Sequence, residues 1–315
     1  MKIKNFLLIV LIFYGLKSYP QQDPQFAHNT FNLLYTNSGS AGMLISKDEI
    51  CATIINNRKW VGFKGAPVTT IANVHKHIKL GDVNGGLGLT ILDDRLGFEK
   101  NFQAKLSFAY HKTVSSGVLG IGIDAGVLNK DIKASWIPPE TSADGDAAIP
   151  GAEARKMVFD FGLGAMFAGN NFFAGISSLH INQSKVKFPL SETAYFLRRH
   201  FYLTAGYNVR FKNTPIELKP SIHYKFDGTK LQHSYNLTGL YNKRFWLGVT
   251  YRNIEAIIPM GGIKLNSGIT IGYAYELPLT KMLTYSKGTH EVMIGYCFGF
   301  FRVPKNYKAK GVRYF

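Results

Sequence analysis

Fourteen stretches of about ten residues recur along this chain in which every second side chain is apolar, and the gaps between them alternate between short and long. Phe102, Ala104, Leu106, Phe108 and Tyr110 share one face of such a stretch, while Gln103, Lys105, Ser107, Ala109 and His111 share the other. Phe201, Leu203, Ala205, Tyr207 and Val209 alternate in the same way with Tyr202, Thr204, Gly206, Asn208 and Arg210. A single stretch of this kind fits a soluble sandwich equally well, because alternation says only that one face is buried. Repetition and spacing decide. The stretches start near 49, 67, 84, 99, 117, 157, 171, 200, 215, 230, 244, 256, 267 and 289, an even number, as a bacterial barrel with both ends in the periplasm requires.

The gaps carry the orientation. Those after the even stretches are short turns, such as Thr113 to Ser116 and Gly169 with Asn170, whereas the three longest, Lys130 to Lys156, Ser184 to Arg199 and Pro278 to Gly288, all follow odd stretches. Outer-membrane barrels have short periplasmic turns and long external loops. The fold class read here is therefore all-β: one transmembrane antiparallel outer-membrane β-barrel of about 14 strands over residues 49–300, in contact with outer-membrane lipid. A helical membrane protein is excluded, since beyond the N-terminus no run approaches the roughly 20 apolar residues a spanning helix needs. Strands near 49, 67 and 256 are the least regular, the last because Pro259 and glycines interrupt it.

Charge placement fixes register. An Arg or Lys facing lipid at mid-bilayer costs about 2 to 4 kcal/mol. Glu217, Lys219, Lys225, Asp124, Asp160 and Arg210 all have lumen parity, and a slip of one residue would turn them into lipid. Glycines Gly120, Gly122 and Gly126 also point inward, so the interior has room for something. The candidate is the polar segment 21–48, as a plug in the lumen or as a periplasmic extension. Residues 1–20, with Lys2, Lys4 and the apolar run Phe6 to Tyr14, read as a cleaved signal peptide. Residues 301–315 form a basic tail with Lys305, Lys308, Lys310 and Arg313.

A net charge of +17 invites a nucleic-acid reading, but the basic residues are spread through the strands rather than gathered on one patch, so no nucleic acid is expected as partner. Chemistry is thin. Ser178 and His180 share a strand face without an acid; His75 and His77 share another without a third metal ligand. Asp144, Gly145, Asp146 and Glu153 lack the order of a calcium loop, and Gly85, Gly86 and Gly88 precede no helix, so they read as strand glycines rather than a phosphate cradle. No catalytic, cofactor or metal site is assigned, and the chain reads as a non-enzyme. The two cysteines, Cys51 and Cys297, lie near the periplasmic ends of the first and last strands with lumen parity. Barrel closure makes those strands neighbours, leaving either a disulfide or two separate buried thiols.

Several motifs run in order along the chain: Gln22-Asp23-Pro24-Gln25-Phe26, Asn57-Arg58-Lys59-Trp60-Val61-Gly62-Phe63 with Gly65-Ala66-Pro67, Gly86-Leu87-Gly88-Leu89, His200 to Tyr207, Leu218-Lys219-Pro220-Ser221, Trp246 to Arg252, and Gly288-Thr289-His290-Glu291. Together they resemble the PorP/SprF family of outer-membrane proteins of type IX secretion and gliding motility. The chain departs from the family pattern at Asn37 to Gly42, where a proline is missing, and at Lys59. The resemblance implies no enzymatic residues. It implies an outer-membrane component that helps export or retain adhesin-like cargo and contacts periplasmic or other secretion-machinery subunits. The candidate partner contacts are Asp23, Pro24, Gln25 and Phe26, expected at the periplasmic mouth, and Trp60, Gly62 and Phe63. The alternatives are a diffusion or transport channel and, as a weaker reading, a lipid-modifying enzyme.

Overall fold

The computed structural model describes residues 23–45, 49–133, 153–187 and 194–299. The expected signal segment, the acidic residues Asp144 to Asp146 and the basic tail lie outside them. The strands are β1 (Glu49–Arg58), β2 (Val68–Leu80), β3 (Val83–Leu96), β4 (Glu99–Val114), β5 (Gly117–Lys133), β6 (Glu153–Gly169) and β7 (Phe172–Leu179). A small hairpin, β8 (Lys185–Lys187) and β9 (Ala194–Phe196), precedes β10 (His200–Tyr207) and β11 (Val209–Arg210). The chain then continues through β12 (Ile216–Phe226), β13 (Leu231–Tyr241), β14 (Phe245–Arg252), β15 (Ala256–Lys264), β16 (Ile269–Pro278) and β17 (Thr289–Gly299).

Each strand pairs antiparallel with the next around the ring, and β1 pairs with β17 to close it. Strands β10 and β11 are one strand interrupted at Asn208, because both pair with β12 in one register. The ring therefore has fourteen strands. Pro259 sits within β15, and the ladder from β15 to β16 lapses between Ile257 and Met260, where proline has no N–H to give.

Alternation translates directly into two faces. Phe102, Leu106, Phe108 and Tyr110 of β4 are exposed on the outer wall, and Gln103, Lys105, Ser107, Ala109 and His111 are buried inside. The same holds for Ile121 and Ile123 against Asp124 in β5, and for Phe201 and Leu203 against Tyr202 and Thr204 in β10. Two buried cations pair with carboxylates, Lys130 with Glu99 and Arg252 with Glu276, both at 2.8 Å, which offsets their removal from water.

One end of the barrel has two-residue turns at 81–82, 115–116 and 170–171; the other carries the loops after β1, β5, β7 and β16. By the rule for such barrels the first end is periplasmic and the second external. At the periplasmic end Cys51 and Cys297 are directly opposed in the β1–β17 ladder, 4.0 Å apart at Cα, and joined by a disulfide.

Candidate functional site

The lumen holds the chain's own N-terminal segment. It descends from Asp23 at the long-loop mouth to Gly42, which packs on Lys76, His77 and Gly86 beside the short-turn end, and then leads into β1. Along the way lie three single turns: a 3-10 turn at Asn29–Phe31, a helical turn at Leu33–Thr36 and a 3-10 turn at Ser38–Ser40. Turns this short leave carbonyls without partners inside the segment, and a dry lumen would make each one costly. The wall supplies the donors. Lys105 Nζ donates to the Tyr35 carbonyl at 2.7 Å, Ser177 Oγ to that of Thr36 at 2.6 Å, and His111 Nε2 to that of Ala41 at 2.9 Å.

Asn37 works in the other direction. Its Oδ1 accepts from Gly39 N–H at 2.9 Å, while its Nδ2 donates to the carbonyls of Ala165 on β6 and Ile176 on β7 at 3.0 and 3.2 Å. Asn32 hydrogen-bonds Asn73 of β2. The glycines that sequence placed on the lumen face are where the segment touches the wall. A Cβ on Gly122 would stand 2.5 Å from Ser38, and one on Gly86 would overlap the Ala41 carbonyl.

Nearer the external mouth the contact becomes apolar, then ionic. Phe26 and Tyr35 meet edge to face at 5.7 Å and pack among Ile55, Ile71, Trp246, Ile258 and Met293. Beside them Glu291 of β17 collects four donors: Ala27 N–H and His28 N–H at 2.8 Å, His28 Nδ1 at 2.7 Å and Asn57 Nδ2 at 2.6 Å. At the mouth the Asp23 carboxylate accepts from His180 Nε2 and the Tyr202 hydroxyl, each at 3.0 Å, with His200 Nδ1 also 3.0 Å from it as an ion-pair neighbour, and its carbonyl accepts from Lys225 Nζ at 3.0 Å. His180 Nδ1 in turn donates to Asp160 at 2.8 Å. Burial pushes the Asp23 carboxyl up, but the imidazoles of His200 and His180 outweigh it and hold the carboxyl well below its usual range. Beneath the mouth lies a cavity of about 40 Å³ bordered by Pro24, Gln25, Tyr202, Lys225 and Arg252, room for a few water molecules.

These positions correct one expectation. Asp23, Pro24, Gln25 and Phe26 were expected at the periplasmic mouth; they lie at the opposite, long-loop end, because the segment runs the full height of the lumen before β1 begins. Their side chains turn inward, with Gln25 bonded to Gln232 and Phe26 in the apolar cluster. Trp60, Gly62 and Phe63 occupy the β1–β2 loop at the same end. Trp60 is half-buried with its backbone N–H on Thr289, and Gly62 and Phe63 are exposed.

The weaker chemical candidates come apart. Ser178 faces away from the lumen, and His180 turns into it through a left-handed φ of 54°, spending its ring on Asp23 and Asp160 rather than on Ser178. His75 accepts from Gly42 N–H at 3.3 Å, and His77 packs on His111. The sequence did not mark His28, Asn37, Asp160 or His200 as site residues, although Asp160 has lumen parity and His200 opens one of the motifs. The available signal was a lumen-facing carboxylate such as Glu291, which needs donors from somewhere inside.

The ordered motifs now have a common location. Asp23 meets His200 and Tyr202; Asn57 donates to the same Glu291 carboxylate that holds His28; Trp246 packs on His28 and Phe31 at 5.5 and 5.3 Å; and Gly86 and Gly88 face Ala41 and Leu34. They are largely the two sides of the seat that holds the segment.

Among solved structures, the toluene transporter TbuX of Ralstonia pickettii matches with a TM-score of 0.51 and 10% identity, over 84% of this chain and 92% of that one. The translocator domain of the autotransporter NalP from Neisseria meningitidis gives 0.49 at 10% identity, over 87% and 96%. Omp33 of Acinetobacter baumannii gives 0.47 at 6%, over 81% and 100%. At such identities the first likeness speaks for an outer-membrane barrel fold alone. No curated protein matches the sequence. The family model described as type IX secretion system membrane protein PorP/SprF matches residues 18–296. With that span and with the motifs gathered around one seat, the chain belongs to the PorP/SprF family of type IX secretion outer-membrane proteins.

Proposed function

We propose that this barrel is a non-enzymatic docking and retention subunit of the type IX system, which helps adhesin-like cargo to leave or stay on the cell surface and couples to periplasmic or other machinery subunits. The observation that carries the reading is the filled lumen. A diffusion channel needs a continuous aqueous path, and here residues 23–45 run through the interior and pack against its wall from the external mouth to the short-turn end. Cargo would therefore meet the barrel at its mouths rather than pass through it.

At the external mouth the β1–β2 loop offers a braced, outward-facing site. Val61 N–H donates to Gly288 at 2.8 Å and Lys287 N–H to Val61 at 2.7 Å, so Gly62 and the exposed Phe63 project from a fixed base above Trp60. Asp23, Pro24, Gln25 and Phe26 contribute by holding the segment's end beneath that loop. The test is a clean deletion in cells: surface adhesins disappear while uptake of small solutes is unchanged. Adhesins that remain on the surface of the deletion strain would overturn the reading, and lost solute uptake with adhesins intact would favour a channel.

A further inference from the structure

The cluster at the outer end of the segment has a chemistry that secretion does not account for. Asp23, His180 and His200 each present one ligand atom, and the three atoms lie within 4.8 Å of one another. Two histidine nitrogens and one carboxylate oxygen are the donor set that zinc favours, whereas calcium and magnesium take oxygen.

Three details separate this cluster from an ordinary ion pair. His180 is oriented from behind: its Nδ1 donates to Asp160 at 2.8 Å, and Asp160 is itself held by Gln103 Nε2 at 2.8 Å. A carboxylate fixing the far nitrogen of a histidine is the usual support of a metal-binding imidazole. His200 is buried, and neither ring nitrogen makes a hydrogen bond of good geometry, although Nδ1 stands 3.0 Å from Asp23 Oδ2. Its lone pair is therefore uncommitted in a place where polar atoms are expected to be satisfied. The separations leave room for a shared ion. Ligands at about 2.0 to 2.1 Å from a tetrahedral zinc lie roughly 3.3 Å from each other. Here His180 Nε2 stands 3.0 Å from Asp23 Oδ1 and His200 Nδ1 3.0 Å from Oδ2, so the ion would draw both rings toward one oxygen of the carboxylate.

We propose that Asp23, His180 and His200 form a zinc site that clamps the N-terminal segment to the β7–β10 side of the barrel at its external mouth. Water would complete the coordination; the cavity beneath the mouth is bordered by Pro24 and Tyr202, next to Asp23, and by none of the three ligands. Lys225 does not compete for the carboxylate, because its ammonium is on the Asp23 backbone carbonyl. The site would join residue 23 to residues 180 and 200 and lock the segment independently of any cargo.

The experiment uses the full chain folded in detergent, stripped with a chelator and titrated with Zn²⁺ against a chromophoric competitor, with Co²⁺ as a spectroscopic probe. One equivalent of metal per chain and the absorption bands of tetrahedral cobalt are expected. Asp160→Asn should weaken binding about 10- to 100-fold, and His200→Gln should remove the stoichiometric site. Heat-modifiable gel migration reports whether each variant remains a barrel. Asp23→Asn, which leaves the barrel wall intact, provides the same test if His200→Gln does not fold. No uptake by the parent chain, or uptake unchanged in Asp23→Asn, would overturn the proposal and leave a purely ionic cluster.

Discussion

Glu291 and His28 stand 263 positions apart in sequence and meet at 2.7 Å inside the barrel, both fully buried. The carboxylate also accepts the backbone N–H groups of Ala27 and His28 and the amide of Asn57. One wall residue thus satisfies four donors, three of them on the N-terminal segment. Replacing Glu291 by Ala would strand those donors in a dry site, at about 1 to 3 kcal/mol each. The expected outcome of Glu291→Ala is faster proteolytic cleavage within residues 23–45 with the heat-resistant barrel preserved. Cleavage kinetics identical to the parent chain would remove Glu291 from the account.

Steric exclusion gives a second route to the same state. A side chain at Gly122 would collide with Ser38, and one at Gly86 with Ala41, both through backbone atoms that cannot rotate away. Gly122→Leu and Gly86→Val should expel the segment and raise its protease sensitivity. Gly295→Ala is the matched control, because the nearest atom to its new Cβ is Thr53 Oγ1 at 3.6 Å. Equal behaviour of all three variants would show that the close approach does not matter.

How much of this was legible in the sequence follows from period. Strands beginning at 99, 117, 200 and 289 coincide with the start of alternation, because the two-residue repeat reports directly which face meets lipid, and those at 49 and 256 coincide although their alternation is the least regular. β6 begins at Glu153 rather than near 157 because the β5–β6 ladder continues beyond the apolar band, where Arg155 and Lys156 are both exposed and alternation no longer reports on lipid. The seat was harder to see. Residues 23–45 have no period, their partners lie up to 264 positions away, and His180 enters the lumen only because a non-glycine residue adopts a left-handed turn just past the strand end. Lumen glycines announced that space was needed without saying what filled it.

The seam between the first and last strands should depend on Cys51 and Cys297. Their bond spans 246 residues of sequence, and chain entropy alone gives an upper figure of about 5 kcal/mol for closing a loop of that size. Cys51→Ser with Cys297→Ser should lower the temperature at which the barrel loses heat-modifiable migration, and a reducing agent should do the same to the parent chain. Two titratable thiols in the oxidised, unfolded parent would contradict the pairing.

Register on the outer wall is also open to a direct check. Leu106 lies mid-strand on the lipid face, opposite Leu89 and Ala125. Leu106→Arg is expected to cost about 2 to 4 kcal/mol in bilayer folding titrations, whereas Leu106→Phe should be nearly neutral. An arginine tolerated there would mean that this face does not meet lipid.

The claim on which the rest depends is that the N-terminal segment closes the lumen. Single-channel recording on the intact chain in planar bilayers measures it most directly. The intact protein should give no steady open-channel current, and Gly122→Leu should give discrete conductance steps as the segment is displaced. A steady stepwise current through the intact chain, unchanged in Gly122→Leu, would contradict a closed barrel and return the protein to the class of diffusion channels.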